Sequence, residues 1–307
     1  MELAKPRWER MEVLLLAPRR SVAEWSELSR LYRAVCADLA RAQSLRLPQD
    51  VQRYLDQLAS RAHNAVYGAR QRDRSGPFAF VFRDIPREIR AQRWLVLVAA
   101  LLFYGPFVLG LVGAWLSEDF AVAVLPPDQL ASMEQMYSSS VGREGGQDAM
   151  MAGFYVYNNV GIAFRCFSTG IFAGLGTLFF LLYNGLVIGT VFGYLGQVGQ
   201  LRNLLEFTAG HSAWELNGIV LGGAAGLRMG LAVVITQGRT RVGSLRAAAP
   251  SLYRLVMGAA VMLLVAASIE GFWSASPVPF EVKLAFGAAQ LLIVALWWGF
   301  GGRGGRA

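Results

Sequence analysis

Cysteine and histidine are nearly missing from this 307-residue chain, which has two of each: Cys36, Cys166, His63 and His211. Two cysteines so far apart exclude a disulfide framework and a cysteine-based zinc site. No Gly-Lys-Ser/Thr phosphate loop, nucleophile elbow or kinase signature occurs, which removes the common enzyme classes that announce themselves by motif. The first twenty residues include Glu2, Lys5, Arg7, Glu9, Arg10, Glu12, Arg19 and Arg20. They leave no uninterrupted apolar run of signal-peptide length, so the N-terminus is expected to be retained.

Charge is scarce as well, at 16% of residues against 54% hydrophobic, and it is segregated. Before Trp94 the chain holds eighteen Lys/Arg and eleven Asp/Glu, whereas nearly all the long apolar runs follow. This separates a basic, soluble-looking third from a membrane two-thirds. The net charge of +8 arrives without any nucleic-acid recognition module, so no nucleic acid is expected; basic flanks of this kind set topology and touch anionic lipid.

Residues 1–75 predict a cytoplasmic three-helix bundle. Ser21-Val22-Ala23-Glu24 fits a capping box, and Trp25, Leu28, Leu31, Tyr32, Val35 and Leu39 repeat at helical spacing behind it. A third helix starts at Pro48 and runs through Val51, Tyr54, Leu55, Leu58, Ala62 and Val66. Its His63, one turn from Tyr67, reads as a structural histidine. After a linker at 71–77, residues 76–93 alternate Phe78, Phe80, Phe82, Ile85 and Ile89 with Arg83, Arg87, Arg90 and Arg93. That pattern predicts a basic amphipathic segment at the membrane surface, its arginines reaching phosphates.

The remainder, 94–301, predicts a polytopic helical membrane domain in an all-α protein, with 302–307 as a cytoplasmic tail. Trp94–Trp115 is long enough to cross a bilayer. The acidic segment 117–152 has Glu118, Asp119, Asp128, Glu134, Glu144 and Asp148 but only Arg143, whereas Arg239, Arg241, Arg246 and Arg254 crowd a later connection. The positive-inside rule puts the first outside and the second, with both termini, in the cytoplasm of a bacterial inner-membrane protein. Six spans are expected, about 94–115, 156–183, 185–200, 211–235, 253–271 and 282–300, with a break at Asn184-Gly185. Four spans plus a re-entrant hairpin across 160–200 satisfy the same charge rule.

Two kinds of residue carry the interest. Gly185, Gly189 and Gly193 form one four-residue ladder and Gly218, Gly222, Gly226 and Gly230 another, with Gly170 and Gly174 at the same spacing. Such ladders let helix backbones approach closely in lipid. Gly302, near the end, is expected to tolerate a bulky side chain. Polar residues in the apolar runs form the second kind: Asn158, Asn159, Arg165, Asn184, His211, Glu215 and Asn217 are read as an intramembrane polar site. His211 and Glu215, one turn apart, share a helix face with the second ladder. Arg165 is expected to pair with Glu215, and Arg228 with Glu206 or Glu270. His211 and Glu215 alone supply two ligands, so no metal, cofactor or catalytic residue is expected.

Trp25 to Asp38 with Glu27-Leu28 and Leu31-Tyr32-Arg33, Arg61-Ala62-His63 to Tyr67, Asn158-Asn159, Asn184-Gly185, and Gly210-His211 to Glu215-Leu216 ahead of the glycine ladder resemble the stage II sporulation protein M family of multi-pass membrane proteins. The likeness runs over nearly the whole chain. Family members often carry proline before the histidine, where this chain has Gly210. The resemblance implies an integral membrane scaffold, since the namesake holds peptidoglycan-degrading partners in spore formers. The expected partners are therefore lipids, proteins met through the N-terminal bundle and the external loop, and a second copy of the chain as an open arrangement. The competing expectation is a transporter or channel for a small solute, proton or ion that uses the intramembrane Asn, Arg, His and Glu residues.

Overall fold

The computed structural model describes residues 5–17, 20–66, 76–138, 158–274 and 276–303. Tyr67, the linker residues 71–75, residues 139–152 of the acidic segment with Arg143, Glu144 and Asp148, and the tail beyond 303 lie outside them. The described residues are helical, with no strand among them. The chain divides into two compact units, Met1–Gly76 and Pro77–Ala307.

The first unit is built from α1 (Lys5–Leu16), α2 (Val22–Ser44) and α3 (Gln49–Val66). The capping box forms as its sequence dictates: the Glu24 backbone N–H donates to Ser21 Oγ and the Ser21 N–H donates to the Glu24 carboxylate, at 3.3 and 2.7 Å. Arg20 donates to the carbonyls of Leu14 and Leu15, closing the end of α1. The three apolar stripes meet in a core of Met11, Leu14, Leu28, Leu31, Val35, Leu55 and Leu58. Beside it Asp38 is buried but satisfied, accepting from Arg7 at 2.7 Å and from Trp8 Nε1 at 2.9 Å. His63 Nδ1 lies 3.0 Å from the Tyr32 hydroxyl.

The second unit opens with α4 (Pro77–Ala79), a π turn (Phe80–Asp84) and α5 (Ile85–Ala91). Ile85 and Ile89 are buried in the main core, and the arginines on this segment divide their roles. Arg87 and Arg90 turn inward, donating to the carbonyls of Gly302, Trp298 and Gly301 at 2.9, 2.8 and 2.6 Å. These donors cap α14 (Phe280–Phe300), whose terminal carbonyls have no intrahelical partner. Glu88 is held by Ser251 and Arg254.

Next come α6 (Arg93–Leu116), α7 (Glu118–Val124) and α8 (Pro127–Tyr137). Leu130 and Tyr137 of the acidic segment are buried, and Glu134 accepts from the Tyr194 hydroxyl at 3.1 Å, so this part of the segment packs onto the helical core. Then follow α9 (158–168), a 3-10 turn (Thr169–Ile171), α10 (Leu175–Gln197), α11 (Leu201–Thr208) and α12 (Ser212–Val234). The unit ends with α13 (Arg241–Ile269), which runs into a π turn (Glu270–Ser274), and α14 (Phe280–Phe300). Five of these helices are long and apolar enough to cross a membrane: α6, α10, α12, α13 with its π turn, and α14.

The break in the 156–200 region is not where the Asn-Gly pair predicts. Helix α10 runs unbroken through Asn184 and Gly185, because the Asn184 amide donates to the Phe180 carbonyl of its own helix at 2.7 Å. The chain turns instead at Ala173 (φ 57°) and Gly174 (φ 84°), and only the glycine adopts that left-handed backbone without steric cost. Thr177 then donates back to the Cys166 carbonyl at 2.6 Å, pinning α9 against the start of α10. The described part of α9, 158–168, is followed by one full span, so the odd number of crossings that the charge rule requires turns on α9.

Candidate functional site

The first turn of α12 and the π turn ending α13 meet at a cavity of about 180 Å³. His211, the residue that precedes α12, has its side chain buried with Nδ1 3.0 Å from Ser274 Oγ and Nε2 3.5 Å from Glu215 Oε2. Its ring stands edge-on to Phe207, 5.6 Å between centroids. Glu215 sits in the first turn of α12, where the exposed N–H groups favour a carboxylate. The Asn159 amide reaches that carboxylate from α9. Glu270 completes the group. Its residue is 2% exposed, and its Oε1 is buried without a hydrogen-bond partner among the described residues.

One donor atom each from His211, Glu215 and Glu270 lies within 4.8 Å of the other two. Two carboxylates therefore lie close together, and the buried cation Lys283 is directed elsewhere. Lys283 of α14, 1% exposed, donates to the Ser274 carbonyl at 2.8 Å and lies 3.9 Å from Glu206. It holds the turn carrying Ser274 and so acts on His211 at one remove.

The polar residues singled out in the sequence separate into two groups. Asn158, Asn159, His211 and Glu215 line the cavity together with Glu270. Asn184 and Asn217 spend their amides on carbonyls of their own helices, Phe180 and Ala213. Arg165 is exposed and donates to Gly161 of its own turn at 3.1 Å, so the pairing expected with Glu215 does not form. Arg228 joins neither expected acid, since Glu206 faces Lys283 and Glu270 belongs to the cluster. Sequence reasoning named Glu270 only as a partner for Arg228 and passed over Lys283. Each is a charge at the edge of an apolar run, the signal that singles out Glu215.

Most of the ladder glycines lie against backbone. A methyl group on Gly185, Gly189 or Gly193 would run into the carbonyls of Phe103, Phe107 and Leu111 on α6. Along α12, Gly218 faces Leu263 of α13, Gly222 the Ala163 carbonyl of α9, and Gly226 both the Cys166 carbonyl and Thr177. This rotation of partners follows from the ~40° drift between residues four apart on a helix. Gly302 is also constrained, with φ 71° and the Arg83 backbone 2.7 Å from where a Cβ would sit.

Five long apolar helices and a buried His-Glu-Glu group in their midst define an all-α integral membrane protein. The chain belongs to the stage II sporulation protein M family, whose sequence profile matches residues 96–275 and so takes in every residue of the cluster. Residues 2–68, most of the first unit, match a second profile, described as a domain of unknown function (DUF8413). No curated protein and no solved structure matches the chain.

Proposed function

We propose that this protein is a scaffold of the bacterial inner membrane that organises proteins on the two sides of the bilayer, cell-wall remodelling machinery among them. The observation that carries the reading is the division of the chain into a separately compact, charged-surfaced helical bundle and a membrane unit. A bundle with its own core and a family profile of its own is suited to hold a cytoplasmic partner while the spans fix its place. Both termini and the connection around Arg239–Arg246 lie in the cytoplasm in this reading, and the chain itself catalyses no reaction. Affinity purification from native membranes, with the full chain and with residues 1–75 deleted, tests it. Cytoplasmic partners are expected to disappear with the bundle, and an identical set of partners from both chains would sink the proposal. Topology is checked by single-cysteine labelling in a background lacking Cys36 and Cys166; labelling of residue 241 from outside intact cells would reverse the orientation.

The cavity supports a second reading, passage of a proton or cation through the membrane unit. Its motivation is the pair of neighbouring carboxylates, Glu215 and Glu270, beside an open space. Flux into liposomes is the measurement. Glu215→Gln is expected to leave the protein folded and to abolish flux, whereas a purely hydrogen-bonding role predicts a silent wild type and a milder loss of stability for Glu215→Gln than for Glu215→Ala.

A further inference from the structure

We propose that His211, Glu215 and Glu270 bind a divalent transition-metal ion, with zinc as the first candidate and the remaining coordination position open to the cavity. This goes beyond either functional reading and does not depend on them. The donors come from two elements far apart in sequence, the first turn of α12 and the π turn ending α13, and any two of the three lie within 4.8 Å. Ligand atoms about 2.1 Å from a tetrahedral zinc ion are roughly 3.4 Å from one another. Bringing donors from within 4.8 Å to that spacing asks each side chain to move inward by about an ångström.

The surroundings have the chemistry of a second ligand shell. A histidine that binds metal through one ring nitrogen normally donates from the other to a fixed acceptor, which sets the tautomer. Here Nδ1 lies 3.0 Å from Ser274 Oγ, an oxygen able to accept from Nδ1–H, and the tautomer that does so turns the Nε2 lone pair toward Glu215. Lys283 fixes the Ser274 carbonyl, and Asn159 orients the Glu215 carboxylate.

Charge and unmet bonding supply an independent argument. Glu270 is 2% exposed, lines the cavity, and has a buried Oε1 without any partner among the described residues. A buried carboxylate left so is strongly unfavourable unless a proton or cation joins it. Two carboxylates and a neutral imidazole are neutralised by one divalent ion. The histidine and the low ligand count select a transition metal over Ca²⁺, which takes six or more oxygens, and over Mg²⁺, which keeps its water. The cavity of about 180 Å³ leaves room for a water or small anion in the open position.

The test uses the full chain in detergent or nanodiscs, with metal content by mass spectrometry, thermal stability with and without added Zn²⁺, and the visible spectrum after Co²⁺ loading. The expected result is about one zinc per chain, as the three-ligand set requires, a melting temperature raised by Zn²⁺ but not by Mg²⁺ or Ca²⁺, and Co²⁺ bands of a four-coordinate site. Glu270→Gln and His211→Ala should remove the metal and the Zn²⁺-induced shift, whereas Glu281→Gln, on an exposed carboxylate, should change neither. Ser274→Ala should weaken affinity by about 10- to 100-fold, the usual effect of losing a second-shell partner. A wild-type protein that stays metal-free with no response to Zn²⁺, Co²⁺ or Mn²⁺ overturns the proposal and leaves a proton shared between the carboxyls. Full metal content in both Glu270→Gln and His211→Ala overturns it too, placing the ion elsewhere. If those variants do not fold, the wild-type stoichiometry and Co²⁺ spectrum still decide.

Discussion

The N-terminal bundle and the membrane unit are both all-helical, yet they are packed by opposite rules. In the bundle, Leu28, Leu31, Val35, Leu55 and Leu58 fill the core, and the charged residues other than Asp38 lie outside it. Water does the sorting there. In the membrane unit large apolar residues such as Leu101, Leu109, Phe179 and Leu292 face outward, while the closest helix contacts are made where side chains are missing. Gly185, Gly189 and Gly193 seat α10 directly on the backbone of α6. Lipid is as apolar as leucine, so burying leucine gains little; close backbone contact and polar pairs decide which helices meet. A residue count that looks like a core in the first unit is therefore a lipid-facing surface in the second.

The contrast is broken most sharply at α10. Gly189→Leu is expected to destabilise the membrane unit by more than about 3 kcal/mol, the upper end of ordinary overpacking, because it meets backbone and not a movable side chain. Detergent-stable yield is the readout, and Gly105→Leu, at a glycine with nothing within 4 Å, should leave it unchanged. Equal yields would show that α6 and α10 do not rely on close approach. In the bundle the corresponding damage comes from making a side chain smaller. Leu28→Ala should cost about 2–5 kcal/mol, the range for truncating a fully buried leucine, measured by denaturant unfolding.

Smaller effects sharpen the comparison within the bundle. Ser21→Ala removes the capping box of α2 and should cost about 0.5–2 kcal/mol; the same unfolding experiment detects it. Acid should weaken the bundle slightly through Glu24 and Glu27. The Glu24 carboxyl is held below its ordinary value of 4.5 by hydrogen bonds from the Ser21 backbone and hydroxyl, and Glu27 by its hydrogen bond with Arg10. Because the folded values are lowered, this contribution is fully present above pH 4.5 and fades as pH falls through the folded values. Both groups lie at the surface, so the change in midpoint should be small, and Glu27→Gln should reduce it further.

How far the sequence carries differs between the two units for the same physical reason. In the bundle the capping box, the proline before α3 and the apolar stripes are local signals, and water makes them sufficient to place helices and core. In the membrane unit hydropathy marks the apolar runs, and the one-turn spacing of His211 and Glu215 puts them on one face. Periodicity says little more there, since every face of such a helix is apolar. The turn at Ala173-Gly174 escaped notice because Asn184-Gly185 carries the commoner turn signature, while its glycine is consumed by contact with Phe103.

By itself the sequence determined the segregation of charge, the helical class, the membrane two-thirds, the family, and a histidine and carboxylate sharing one helix face. Tertiary structure alone decided that Glu270 and Ser274, more than fifty residues further on, complete that pair, that Lys283 is buried beneath them, and that Arg165 stands outside. Caps, hydropathy and helical faces are set by neighbours within a turn or two of chain. The partner of a buried polar group is set by which distant helices pack together, and in an apolar solvent that choice is made by backbone fit, which no single stretch of sequence contains.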